Sequence, residues 1–88
     1  MNFFLRLFRK KKIKFVGRGA MNFKSSSGEA FSVDGEFLPG VNDIIIYPKS
    51  IEYLNSNNIL DEKKRETILN EVLEELEIMN LKVVVHSR

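Results

Sequence analysis

The sequence predicts an α+β fold: a small, mostly antiparallel sheet of about five strands packed against one long helix, with a short N-terminal amphipathic helix. Three observations carry this. Ile68, Leu69, Val72, Leu73, Leu76 and Met79 form a single apolar stripe at helical spacing. Short runs of alternating or β-branched residues, separated by glycine, serine and asparagine breaks, precede and follow it. The chain has 88 residues, 43% of them hydrophobic, so it holds one core and buries roughly 60–70% of its unfolded surface.

Residues 1–12 read as helix. Phe3, Phe4, Leu7 and Phe8 fall on one face, and Asn2, Arg6, Arg9 and Lys10 fall on the other. Two readings stay open: an interfacial helix lying on an anionic membrane, or a terminal helix docked on its own domain or frayed. This basic segment is set apart from a single α+β domain over residues 13–88. The apolar run from Phe3 to Phe8 is broken by Arg6 and is too short to span a bilayer. Its positive charges follow the apolar residues, the reverse of a secretory signal, so no signal peptide is expected.

From Lys12 the pattern becomes strand, with Ile13 and Phe15 alternating with Lys14 and Val16. Gly17-Arg18-Gly19 breaks it, Met21 and Phe23 resume it, and Ser25-Ser26-Ser27-Gly28 breaks it again, as in a hairpin followed by a polar turn. The Gly17-x-Gly19 pair lacks the third glycine and following helix of a dinucleotide fingerprint, so it reads as a turn. Phe31, Val33 and Phe37 share one parity across Asp34-Gly35, a strong hairpin dipeptide. A two-residue loop there would mix apolar and polar partners on each face. The pattern favours a longer loop with a bulge, or one kinked continuous strand.

Ile44-Ile45-Ile46 is the most β-prone run, and isoleucine on both parities predicts a central strand buried on both faces. Pro48 ends it. Ser50 to Leu54 is expected to form one helical turn with Ile51 and Leu54 inward, and Asn55-Ser56-Asn57-Asn58 a loop. The long helix is predicted over residues 61–79, with Asp61 as N-cap and Asn80 at the left-handed stop. Residues 81–85 return as a strand that could run parallel to a neighbour.

Charge is divided along the chain. The first 18 residues carry seven basic side chains and no acidic one, whereas the remaining 70 carry seven basic and twelve acidic. Within the long helix, Lys63, Lys64 and Arg65 sit in the first turn, and Glu71, Glu74, Glu75 and Glu77 in the last two. Both groups oppose the helix dipole, at about 0.3–1 kcal/mol for each misplaced charge. Two readings follow: the acidic end neutralises something basic, either the chain's own head or another molecule, or it is a solvated face screened by salt.

Chemistry-bearing motifs are absent. There is no cysteine, which excludes disulfides and thiolate metal sites and fits a cytoplasmic location. His86 is the lone histidine and has no acid beside it in sequence. No carboxylate spacing suggests a metal loop or catalytic pair, and the serines of residues 25–27 lack a nucleophile elbow. The basic head lacks the setting of a specific nucleic-acid binder. No enzyme, cofactor or metal is expected.

The segment Val33-Asp34-Gly35-Glu36-Phe37-Leu38, followed by Ile44-Ile45-Ile46-Tyr47-Pro48-Lys49-Ser50-Ile51, resembles a small bacterial immunity-protein family of polymorphic toxin systems, the group called immunity protein 74. The order of elements is similar from Ile13 to Val85. The resemblance implies a non-catalytic inhibitor that binds a cognate protein toxin in the cytoplasm, with Asp34, Glu36, Asp43, Glu52, Glu71, Glu74 and Glu75 as contact groups. An acidic body suits such a role, because toxins acting on nucleic acid are often basic and opposite fields speed association. Gly35 and Glu36 fit a structural role equally well. Two alternatives remain: a peripheral membrane or anionic-surface module using Phe3, Phe4, Phe8, Arg6, Arg9 and Lys10, and a structural assembly subunit.

Overall fold

A computed structural model of the chain describes residues 12–40 and 43–86. The expected N-terminal helix lies outside the described residues. The elements are β1 (Ile13–Phe15), β2 (Met21–Lys24), β3 (Ala30–Val33), β4 (Gly35–Phe37), β5 (Asp43–Ile46), a 3-10 turn (Pro48–Ser50), β6 (Glu52–Tyr53), α1 (Glu62–Ile78) and β7 (Lys82–Val85). The fold is α+β with one long helix, as expected. The strands, however, form two sheets instead of one of about five strands. An antiparallel sheet has the order β1-β2-β3-β6, and a smaller one the order β4-β5-β7, in which β5 and β7 run parallel.

The first sheet follows from alternation. Cross-strand partners Ile13 and Phe23, Met21 and Val33, and Phe23 and Phe31 put one apolar row inward. All five of these side chains are buried. The β1–β2 connection is closed by Val16 N–H donating to Ala20 O at 2.9 Å, with Gly19 at φ +110°, a conformation only glycine adopts freely. Ser25 N–H donates to Glu29 O at 2.8 Å across the next turn. Both breaks read from the sequence are therefore turns.

Asp34-Gly35 is not a hairpin. β3 and β4 are one strand interrupted at Asp34, and the interruption moves the chain from the first sheet to the second. The kink is held by a closed set of hydrogen bonds. Asp34 N–H donates to Ser50 Oγ at 2.8 Å, Ser50 Oγ donates to Tyr47 O at 2.5 Å, and Tyr47 N–H donates to Asp34 O at 3.1 Å. Gly35 is required by contact: a Cβ there would lie 2.6 Å from Ile45 O and 2.8 Å from Gly19 O. Gly19 is equally tight, since a Cβ there would lie 2.7 Å from the Glu36 backbone. A turn dipeptide thus serves as the crossing point of two backbones, because burial of Val33 and Ile46 on both sides outweighs local turn preference.

Ile44 and Ile46 of β5 are fully buried, whereas Ile45 is only half-buried. The expectation of burial on both faces is corrected accordingly, since no element covers the outer face of the smaller sheet among the described residues. The helical turn expected over residues 50–54 is also displaced. Pro48 starts the 3-10 turn two residues earlier, Ile51 is buried, and Glu52–Tyr53 extends as β6 beside β3, leaving Leu54 exposed. Pro48 fits the first position of such a turn because its fixed φ is already helical and its missing N–H is not needed there.

α1 lays Ile68, Val72 and Leu76 into the core, at i, i+4 and i+8. Each is worth about 1.5–3 kcal/mol of apolar burial. Asp61 Oδ1 accepts from Lys64 N–H at 2.7 Å, as an N-cap. At the other end Asn80 takes φ +66°, Leu81 N–H donates to Leu76 O at 3.0 Å and Asn80 N–H donates to Glu77 O at 2.9 Å. These are the paired bonds of a Schellman stop. Met79, expected in the apolar stripe, is the cap residue and is 45% exposed.

Gly35→Ala is expected to cost about 1–3 kcal/mol, since its Cβ meets backbone that cannot give way. Gly17→Ala, with only Ala20 Cβ nearby at 3.8 Å, should stay within about 0.5 kcal/mol. Urea midpoints of the two variants check both values.

Candidate functional site

The stripe that buries Val72 and Leu76 fixes what the rest of α1 presents. Glu71, Glu75 and Ile78, at i, i+4 and i+7, form a ridge along one side of the helix, with Glu74 further out. These residues, with Glu77 and with Lys12 and Ser26 facing them, line an open groove between the helix C-terminal half and the β2–β3 turn. Three of the expected contact residues, Glu71, Glu74 and Glu75, are thus brought together.

Their roles within the fold differ. Glu71 Oε1 accepts from Ser26 N–H at 2.8 Å and so pins the β2–β3 turn to the helix. Glu75 is largely covered, with its side chain 14% exposed, and its Oε2 lies 3.9 Å from Lys12 Nζ. The side chains of Glu74 and Glu77 are exposed and make no hydrogen bond or ion pair among the described residues. The first-turn cations are treated differently. Lys64 Nζ lies 2.8 Å from Glu29 Oε1, and Arg65 Nη1 pairs with Glu62 Oε1. Two of the three first-turn cations thus have a carboxylate partner and Lys63 is exposed without one among the described residues, while Glu74 and Glu77 at the helix end face the groove and solvent.

The Lys64 ammonium, bonded to Glu29, holds that carboxyl below its ordinary 4.5, and the Ser27 hydroxyl, donating at 2.9 Å, acts in the same direction. The same bond raises Lys64 above its ordinary 10.5. A depressed carboxyl adds stability that is present above its unfolded pKa and is lost as pH falls through the folded one.

The remaining expected contact residues lie elsewhere. Glu36 is exposed on the outer face of the smaller sheet, where its register partner is Ile45. Asp43 is on the same face, in register with Lys82. The Asp34 side chain is exposed at the kink, and Glu52 is exposed on β6, in register with Ser32. These four do not join the groove. Phe3, Phe4, Phe8, Arg6, Arg9 and Lys10 lie outside the described residues. His86 packs against Tyr47, with ring centroids 5.7 Å apart. Among the described residues no three His, Cys, Asp or Glu side chains are placed to hold a metal ion, and no helix is long and apolar enough to cross a membrane.

Sequence reasoning missed Ile78 and Ser26 as groove-lining residues. Ile78 carried a signal, its i+7 spacing from Glu71; Ser26 carried none, because it enters through a long-range turn contact. The residues behind the family resemblance have structural work: Gly35 makes the crossing, Ser50 clamps the kink and Ile51 fills the core. No family model, curated protein or solved structure matches this chain.

Wild-type protein should lose more stability than Glu29→Gln between about pH 5 and about pH 2, because only the wild type must protonate a bonded carboxylate. Urea midpoints at the two pH values measure this, and equal losses would show that the Lys64 bond contributes nothing.

Proposed function

We propose that this chain is a non-catalytic immunity protein that binds a basic cognate toxin in the cytoplasm through the acidic groove of α1. One observation supports this above the rest: Glu74 and Glu77 stand unpaired among the described residues beside Glu71 and Glu75, at the helix end where the dipole is already negative. A helix optimised for its own stability would carry cations there. A basic partner relieves the repulsion, and its field accelerates encounter. Ile78, 52% exposed in the same groove, supplies an apolar contact beside the carboxylates. The resemblance of residues 33–51 to an immunity family is in keeping with this reading.

The experiment is co-expression of the chain with the product of its neighbouring reading frame, scored by growth, together with binding of the purified pair. Binding with growth rescue supports the proposal; neither binding nor rescue rejects it. The double variant Glu74→Lys/Glu77→Lys sharpens the test. It should raise folding stability by about 0.3–1 kcal/mol per site, through the dipole. It should also weaken partner binding at least about tenfold at low salt. A gain in stability with unchanged affinity would show that these acids are merely solvated.

A further inference from the structure

Among the described residues the two sheets have four edges, and three are blunted. β1 is three residues long and exposes Lys14, and β6 is two residues long. β4 is covered on its outer side, where Phe37 N–H donates to Arg18 O at 3.2 Å and Gly19 packs on Glu36. β7 carries one exposed lysine, Lys82, but among the described residues it is neither shortened nor covered. It is four residues long and reads Lys-Val-Val-Val, with Val84 45% and Val85 48% exposed. Among the described residues it pairs only with β5. His86 N–H donates to Ile46 O at 2.9 Å, which sets the phase of the parallel ladder. The backbone groups of Lys82, Val84 and His86 turn toward β5, and those of Val83 and Val85 turn outward. A valine strand with outward donors and acceptors is a template for another strand.

We propose that this edge pairs with a second copy of the same chain, antiparallel about a two-fold axis at Val84, joining two three-stranded sheets into one. The strand is complementary to itself in this arrangement. Val83 faces Val85 of the partner subunit, so each outward N–H meets an outward carbonyl in reciprocal pairs. On the outer face, Glu36, Ile45 and Val84 lie in one row by register. The axis extends that row into Val84 and Ile45 of the partner subunit, giving an apolar stripe bounded by a glutamate at each end. Lys82, at one end of β7, comes opposite His86 of the partner subunit. That ring is already edge-on to Tyr47, so the ammonium meets an aromatic pair. Cation and rings sit at opposite ends of one strand, and only a two-fold axis brings each to the other. This surface is separate from the acidic groove.

Sedimentation of the full chain between about 10 µM and about 1 mM tests the proposal. The expected result is a concentration-dependent rise from monomer to dimer mass. Val84→Lys and Val84→Glu should each weaken the dimer at least about tenfold, by placing like charges across the axis, and an equimolar mixture of the two should restore it. Val85→Pro removes an outward donor without touching the β5 ladder and should also give monomer, with the circular dichroism of the fold retained. A wild type that stays monomeric throughout, variants that dimerise as well as wild type, or charge-reversed variants that fail to restore the dimer when mixed would each overturn it.

Discussion

The backbone crossing at Gly19 and Gly35 is the constraint on which the rest of the structure depends. One strand serves two sheets, and it changes sheet at Asp34 because a glycine on each segment lets the chains approach to distances no Cβ tolerates. Ser50 closes the corner by accepting from Asp34 N–H and donating to Tyr47 O. Without the corner, β5 and β7 would lose their antiparallel neighbour, and Ile44 and Ile46 would lose their place in the core shared with Met21, Phe23 and Phe31. Two small sheets, each too small for a core alone, are stable because they bury one face together against α1.

That arrangement also determines what the helix shows to solvent. Once Ile68, Val72 and Leu76 are committed inward, the neighbouring positions must line the flanks. Glu71 and Glu75 are partly absorbed by the fold, through Ser26 and Lys12. Glu74 and Glu77 are left with the helix carbonyls. The start of the helix shows that such charges need not stay unpartnered, since Glu29 and Glu62 meet Lys64 and Arg65 there. The imbalance between the two ends is an energetic cost borne by the isolated chain, and it is the feature most economically explained by a cationic partner.

Much of the fold was legible in the residues. The four-residue spacing of the helix stripe, Asp61 and Asn80 as its ends, and the alternation of Met21 with Phe23 and of Phe31 with Val33 are local patterns that burial reinforces. The parallel return of the last strand followed from having a helix before it. Other features depend on contacts distant in sequence. Asp34-Gly35 carries a hairpin signal locally; the parity of Phe31, Val33 and Phe37 leaves a kinked continuous strand as one of two readings, and the contacts with Ile45 O and Gly19 O select it. Glu52–Tyr53 is a strand only because β3 offers an edge to it. Three of the seven expected contact residues, Glu71, Glu74 and Glu75, come together because they share a helix. Asp34, Glu36, Asp43 and Glu52 scatter because acidity along a chain says nothing about proximity in a sheet.

The central claim is that the C-terminal half of α1 meets a cationic protein. Backbone amide shifts of the full chain, followed by NMR as the neighbouring gene product is added, test it most directly. The account predicts shifts concentrated at Glu71 to Ile78 and at Ser26 across the groove, diminishing as salt is raised. Shifts confined to the smaller sheet, with the helix amides unmoved, would contradict it.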